Sequence, residues 1–179
     1  MSHETNIKEL LQEAWSKRRV GNYDEARDLV KKAQSLCKKD DHLFLGRIYH
    51  IYMQFESDQD NYAEALALCQ QSLEHYMKTG NPNLIAHSTR HIADLQRHLG
   101  LNIDSEHNYR KAIDIYRNNA NTTQGELANA LRGFGILLEE LGKVEEAIAV
   151  WKETKELYDA CDIQEGVDEA NDKLDLLLD

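Results

Sequence analysis

The sequence predicts an all-α fold: a solenoid of antiparallel helix pairs, four pairs closed by a C-terminal capping helix. Three observations predict it. A skeleton of turn, small residue, bulky residue and small residue, at intervals of five, four and three positions, occurs four times. It reads Gly21, Ala26, Val30, Ala33; then Asp60, Ala65, Cys69, Ser72; then Gly100, Ser105, Tyr109, Ala112; then Gly142, Ala147, Trp151, Thr154. The last small positions are 39, 40 and 42 residues apart, a period that marks a stacked repeat array. One proline and 9 glycines among 179 residues leave few breaks in what reads as nearly continuous helix.

Each repeat reads as two helices joined by a short turn. In the first, Asn6 is the expected cap, and Leu10, Leu11, Ala14 and Trp15 form an amphipathic stripe. Gly21-Asn22 ends that helix, since both residues tolerate a left-handed C-cap. A second helix follows over about 24–38, with Ala26, Leu29, Val30, Ala33 and Leu36 facing inward. The later pairs fall at about 42–58 with 62–79, 83–99 with 102–118, and 124–141 with 144–160. Gly80-Asn81-Pro82 and the polar stretch Asn118-Asn119-Ala120-Asn121 separate them. Ile163 to Leu178 reads as one acidic amphipathic helix, the solvating cap that a terminal repeat requires. The organisation is thus a single domain over 1–179, with repeats at about 5–40, 42–80, 83–119 and 124–161 and a cap at 163–179. The small residues belong where helix axes approach to about 8–10 Å.

Composition narrows the functional classes. With 41% hydrophobic and 30% charged residues the chain reads as folded and soluble. A net charge of −11 disfavours nucleic acid as a partner. No apolar run approaches the ~18 residues of a membrane span, and the polar start lacks the apolar core of a secretory leader. Cys37, Cys69 and Cys161 have no metal-ligand spacing, which suggests reduced thiols and a cytoplasmic setting. Cys69 takes a bulky core slot and reads as a small buried hydrophobe.

These residues resemble the tetratricopeptide repeat family, whose pattern runs from a large residue through Leu-Gly, Tyr and Gly-x-Tyr-x-x-Ala to an aromatic and Ala. The fourth repeat matches best, with Leu131, Phe134-Gly135, Leu138, Gly142, Ala147 and Trp151. The first matches in its second half, with Gly21, Tyr23, Ala26 and Ala33. In the second, Met53 occupies a small position and Ser57-Asp58-Gln59 suggests a one-residue slip. No repeat carries the family's terminal proline, and the long period is similar to kinesin light chains, Rap-type regulators and polarity adaptors. The resemblance implies a right-handed superhelical solenoid and a non-enzymatic interaction module whose first helices line a concave groove.

Projecting that groove onto this chain gives Lys8, Leu11, Trp15, Arg18 and Arg19 from the first repeat and Arg47, His50, Gln54, Ser57 and Asp58 from the second. His87, Arg90, Asp94, Arg97 and His98 follow from the third, and Asn129, Arg132, Ile136, Glu139 and Glu140 from the fourth. Seven of these twenty positions are basic and four acidic, so a basic floor in an acidic protein is expected, suited to an acidic peptide or a carboxylate terminus. The competing expectation is that the arginines pair with acids on neighbouring helices. Trp15 is the candidate ligand anchor, whereas Trp151 fills a core slot. Leu11 and Trp15 replace residues that the family's clamp for acidic chaperone C-termini needs. His87, His91, Asp94 and His98 share one helix face. This reads as a polar groove wall that gains charge below about pH 6.5, because four side chains over that length do not converge on one ion.

No nucleophile–base pair, phosphate loop or metal triad is recognisable, and Gly133-Phe134-Gly135 lacks the strand and third glycine of a dinucleotide fingerprint. The expected role is therefore a protein-binding adaptor without catalytic, cofactor or metal residues. The alternatives are a self-associating subunit, since Leu174, Leu176, Leu177 and Leu178 exceed one inward stripe, or a regulator responsive to a peptide.

Overall fold

The computed structural model describes the backbone of residues 3–178, and among these residues there are nine helices and no strand. They are α1 (His3–Arg19), α2 (Tyr23–Leu36), α3 (His42–Ser57), α4 (Tyr62–Thr79), α5 (Pro82–His98), α6 (Asn102–Arg117), α7 (Gln124–Glu140), α8 (Val144–Asp159) and α9 (Gln164–Leu178). Asp179, the end of the predicted cap, lies outside the described residues. None of these helices is long and apolar enough to cross a membrane.

The turn inside each pair is the same structure four times. Gly21, Asp60, Gly100 and Gly142 have φ of +78°, +58°, +72° and +68°. The next residue's N–H reaches back to a carbonyl five positions earlier: Asn22 to Lys17 at 2.9 Å, Asn61 to Glu56 at 2.9 Å, Leu101 to Gln96 at 2.8 Å and Lys143 to Leu138 at 2.9 Å. This is the Schellman closure of a helix C-terminus, and it satisfies carbonyls that the helix leaves open. Asp60 adopts the left-handed conformation that glycine takes elsewhere, so Met53 and its turn are in register and the expected slip is absent. Ile163 repeats the closure ahead of α9, its N–H bonding to the Tyr158 carbonyl at 3.0 Å beside Asp162 at φ +56°.

The start of α1 corrects an expectation. The helix is already formed at His3, so Asn6 lies within it and caps nothing. Two other starts carry strong local signals. Pro82 opens α5, where its missing N–H costs nothing, and Asn81 Oδ1 accepts from the N–H groups of Asn83 and Leu84 at 3.0 and 3.3 Å. Thr123 and Glu126 form a reciprocal capping box ahead of α7. The connector before it, from Asn118 to Thr122, is held by Asn119, whose carbonyl accepts from Thr122 and whose side chain accepts from Asn121.

The helices gather into two compact units, Met1–Ser88 and Thr89–Asp179, the division falling inside α5. In the first unit Ile7, Leu10, Leu11 and Ala14 of α1 pack with Ala26, Val30 and Ala33 of α2 and Phe44, Ile48, Ile51 and Phe55 of α3. Cys69 is fully buried, as its core slot predicts. In the second unit Tyr109 and Trp151 are completely enclosed. All eight small crossing positions, from Ala26 to Thr154, are 0% exposed. Where serine replaces alanine its hydroxyl is satisfied: Ser72 donates to the Gly46 carbonyl and Ser105 to the Ala93 carbonyl, both at 2.8 Å.

Trp151 packs closely against α7 because position 135 is glycine. A Cβ there would stand 2.9 Å from Trp151 Cε2 and 3.0 Å from Nε1. Gly135→Ala is therefore expected to lower Tm, since overpacking of about 1–3 kcal/mol outweighs roughly 1 kcal/mol of better helix propensity. Thermal denaturation followed by circular dichroism checks it, and an unchanged or raised Tm contradicts the packing described.

Candidate peptide-binding surface

In the first unit, side chains from α1, α3 and the start of α5 form one strip. Trp15, 36% exposed, stacks on His50, with ring centroids 6.4 Å apart and planes 22° from parallel. His50 in turn faces His87, with centroids at 4.8 Å. The Arg18 guanidinium also lies 4.8 Å from the Trp15 ring centroid, a cation–π contact worth about 0.5–1 kcal/mol at such a site. Asp58 fixes Arg18 through bonds of 2.7 Å from Nε and 2.6 Å from Nη2, and Gln54 accepts a third at 2.9 Å. Lys8 and Arg47 are exposed. Leu11 departs from its expected place in the groove: it is 5% exposed and belongs to the core. Ile7, Leu10, Leu11 and Ala14 make the buried arc of α1 broad, because α1 packs on both α2 and α3.

In the second unit the predicted basic residues hold carboxylates. Arg90 donates to Asp94 at 2.8 Å, and Arg97 to Glu140 at 2.6 Å. Arg132 grips Glu169 of α9 with two bonds, of 2.5 and 2.6 Å. Asn129 accepts a bond from Tyr158 at 2.9 Å. The charge excess counted along the groove is thus largely neutralised here, as the pairing expectation had it. Glu169 and Lys173, which bonds Glu139 at 2.9 Å, tie the acidic cap helix to α7, so the cap does more than face solvent.

Asp94 is the most perturbed group of this unit. Burial acts to raise its pKa, but Arg90, His91 and the Tyr109 hydroxyl outweigh it and hold the carboxyl far below its usual range. Tyr109 donates to Asp94 at 2.5 Å, and burial together with that carboxylate pushes the phenol's pKa well upward. The expected histidine face is shared out. His87 meets His50, His91 lies against Arg90 and 3.4 Å from Asp94, and His98 lies 3.2 Å from Arg97.

A second concavity carried no recognised sequence signal. A cavity of about 430 Å³ lies among α6, α7 and α8, floored by Leu131 and Phe134 and bordered by Arg110 and Arg117. Arg110–Glu146 and Arg117–Glu153 ion pairs, both at 2.7 Å, span it.

The family model for the tetratricopeptide repeat matches residues 54–118 and 84–160, more than half of the chain. The chain belongs to the tetratricopeptide repeat family. Solved structures agree on the fold. A signal-transduction ATPase of Pyrococcus horikoshii with a tetratricopeptide repeat sensor aligns at TM-score 0.83 and 16% identity, over 99% of this chain and 28% of that one. A Podosopora anserina kinesin-light-chain protein with nearly identical TPR-like repeats gives 0.70 and 13%, over 99% and 97%. The Rap conjugation gene regulator of plasmid pLS20, in complex with the Phr* peptide, gives 0.66 and 16%, over 96% and 58%. The chain therefore spans about a quarter of the archaeal ATPase and just over half of the Rap regulator. No curated protein sequence matches it.

Replacing Asp94 with Asn leaves Arg90 without its anion and is expected to destabilise the second unit by about 1–3 kcal/mol. Because its folded pKa is depressed, Asp94 contributes fully above about pH 4 and progressively less as pH falls through the lower folded value. Denaturation across pH 2–7 should show a shallower acid limb for Asp94→Asn than for the wild type. Superimposable profiles would contradict this.

Proposed function

We propose that this tetratricopeptide repeat chain is a non-enzymatic interaction module that takes up a peptide or protein segment along its first helices. The Trp15–His50–His87 strip carries the proposal. A large aromatic ring is in contact with both the Arg18 guanidinium and the His50 ring, yet keeps 36% of its surface open. Fixed, partly exposed tryptophans make strong anchors because little side-chain freedom remains to be lost. A likeness in fold to a Rap regulator in complex with a peptide supports the same reading.

An acidic segment is the finer version. Lys8, Arg19 and Arg47 are the exposed cations of the projected groove in the first unit, and Lys8 and Arg47 are those chosen for the test. In the second, a ligand carboxylate would exchange with Asp94, Glu140 or Glu169 at Arg90, Arg97 or Arg132, which limits the net gain at each site. Selection of a random peptide display library on the purified chain tests both levels. Selected clones are expected to bind Trp15→Ala at least tenfold more weakly, on the scale of an anchor residue. Enrichment in Asp and Glu, lost with Lys8→Ala plus Arg47→Ala, supports the acidic version. Full retention by Trp15→Ala overturns the anchor.

Self-association is a second reading with its own observation. Leu176 and Leu178 are 76% and 63% exposed at the end of α9. Light scattering is expected to show a dimer that Leu176→Glu dissociates if that face is an interface. A wild-type monomer rejects this reading.

A further inference from the structure

Two imidazoles on different helices of the first unit point their outer nitrogens at each other. His50 Nε2 of α3 and His87 Nε2 of α5 are 3.5 Å apart. That is the far limit of a hydrogen bond, but it is close to the spacing of two nitrogen ligands on one ion. With metal–nitrogen bonds of about 2.0–2.1 Å, the edge of a tetrahedron is about 3.4 Å. We propose that His50 and His87 bind a divalent transition-metal ion of the imidazole-preferring kind (Zn²⁺, Cu²⁺ or Ni²⁺) through their Nε2 atoms.

Three features support the assignment. Both residues are only half-buried, so an ion can reach them from solvent. Trp15 stacks on His50 and fixes the plane of its ring, which prearranges one ligand. The net charge of −11 favours cation approach in general. The other close histidine pair of the unit is a poorer candidate. His42 and His75 approach through their Nδ1 atoms at 3.0 Å, an ordinary hydrogen bond. Burial, His42 and the Lys78 ammonium together hold the pKa of His75 below its usual value, so Lys78 also opposes a cation there.

Two imidazoles fall short of the four protein ligands of a closed structural site. The ion is consequently exchangeable and the fold does not depend on it. Coordination requires neutral imidazole, so binding releases protons and weakens as the solution is acidified.

The test is titration of the metal-free chain with Zn²⁺ by calorimetry and with Cu²⁺ by tryptophan fluorescence. One saturable equivalent is expected, weakened at least tenfold in His50→Ala and in His87→Ala, a loss at the lower end of what even outer-shell changes cause. His42→Ala is expected to bind as the wild type does. Cu²⁺ is expected to quench Trp15, so Trp15→Phe removes the fluorescence change while calorimetric binding persists. Should His50→Ala fail to fold, His87→Asn is compared with the wild type in its place. No saturable binding, undiminished binding in the His87 variants, or a loss confined to His42→Ala each overturns the site.

Discussion

The left-handed turn residue is the constraint on which the arrangement rests. Gly21, Asp60, Gly100 and Gly142 each reverse the chain within three or four residues, and the same backbone bond locks each reversal. The second helix of each pair therefore starts at a fixed phase relative to the first. That phase carries Ala26, Ala65, Ser105 and Ala147 into the crossings, where only small side chains fit. It also sets which face of each first helix is left for solvent or ligand.

Ion pairs add a second periodic element. Arg18–Asp58 spans 40 residues, Arg97–Glu140 spans 43, and Arg132–Glu169 and Lys143–Glu106 each span 37. Opposite charges about one repeat apart thus bridge equivalent helices of successive pairs. Such exposed or half-exposed pairs contribute little energy individually. Their effect is to fix side chains and to cancel charge locally, which makes the groove less basic than a count of arginines implies.

Much of the architecture was legible because it depends on local chemistry at a fixed period. Glycine at three of four turns, alanine or a small substitute at the crossings, and Trp151 opposite Gly135 all announce their roles by residue type. The capping box at Thr123-x-x-Glu126 was equally visible in principle. The first helix began earlier than its polar lead suggested, since Glu4, Thr5 and Asn6 are all compatible with a first turn. Leu11 was placed in the groove by register alone, although its apolar neighbours Ile7, Leu10 and Ala14 pointed to the core. The bond from Tyr109 to Asp94 and the grip of Arg132 on Glu169 depend on tertiary distance, which spacing suggests only when opposite charges are sought at the repeat interval. The Trp15–His50–His87 strip was present as three separate positions. Its stacking became apparent only with the helices in place.

Not every junction is closed in the same way. Between Arg117 and Gln124 the chain runs through a surface connector in which Asn119 accepts bonds from Asn121 and Thr122, and the Thr123–Glu126 box then starts α7. No left-handed residue welds the two flanking helices together there. The helix ends themselves keep bonds of their own, from the Asn118 N–H to the Asp114 carbonyl on one side and the Thr123–Glu126 box on the other, so additional sequence can be accommodated at this point without disturbing either helix. The junction is thus a natural place to graft a tag or a reporter domain, while the strip around Trp15 stays untouched.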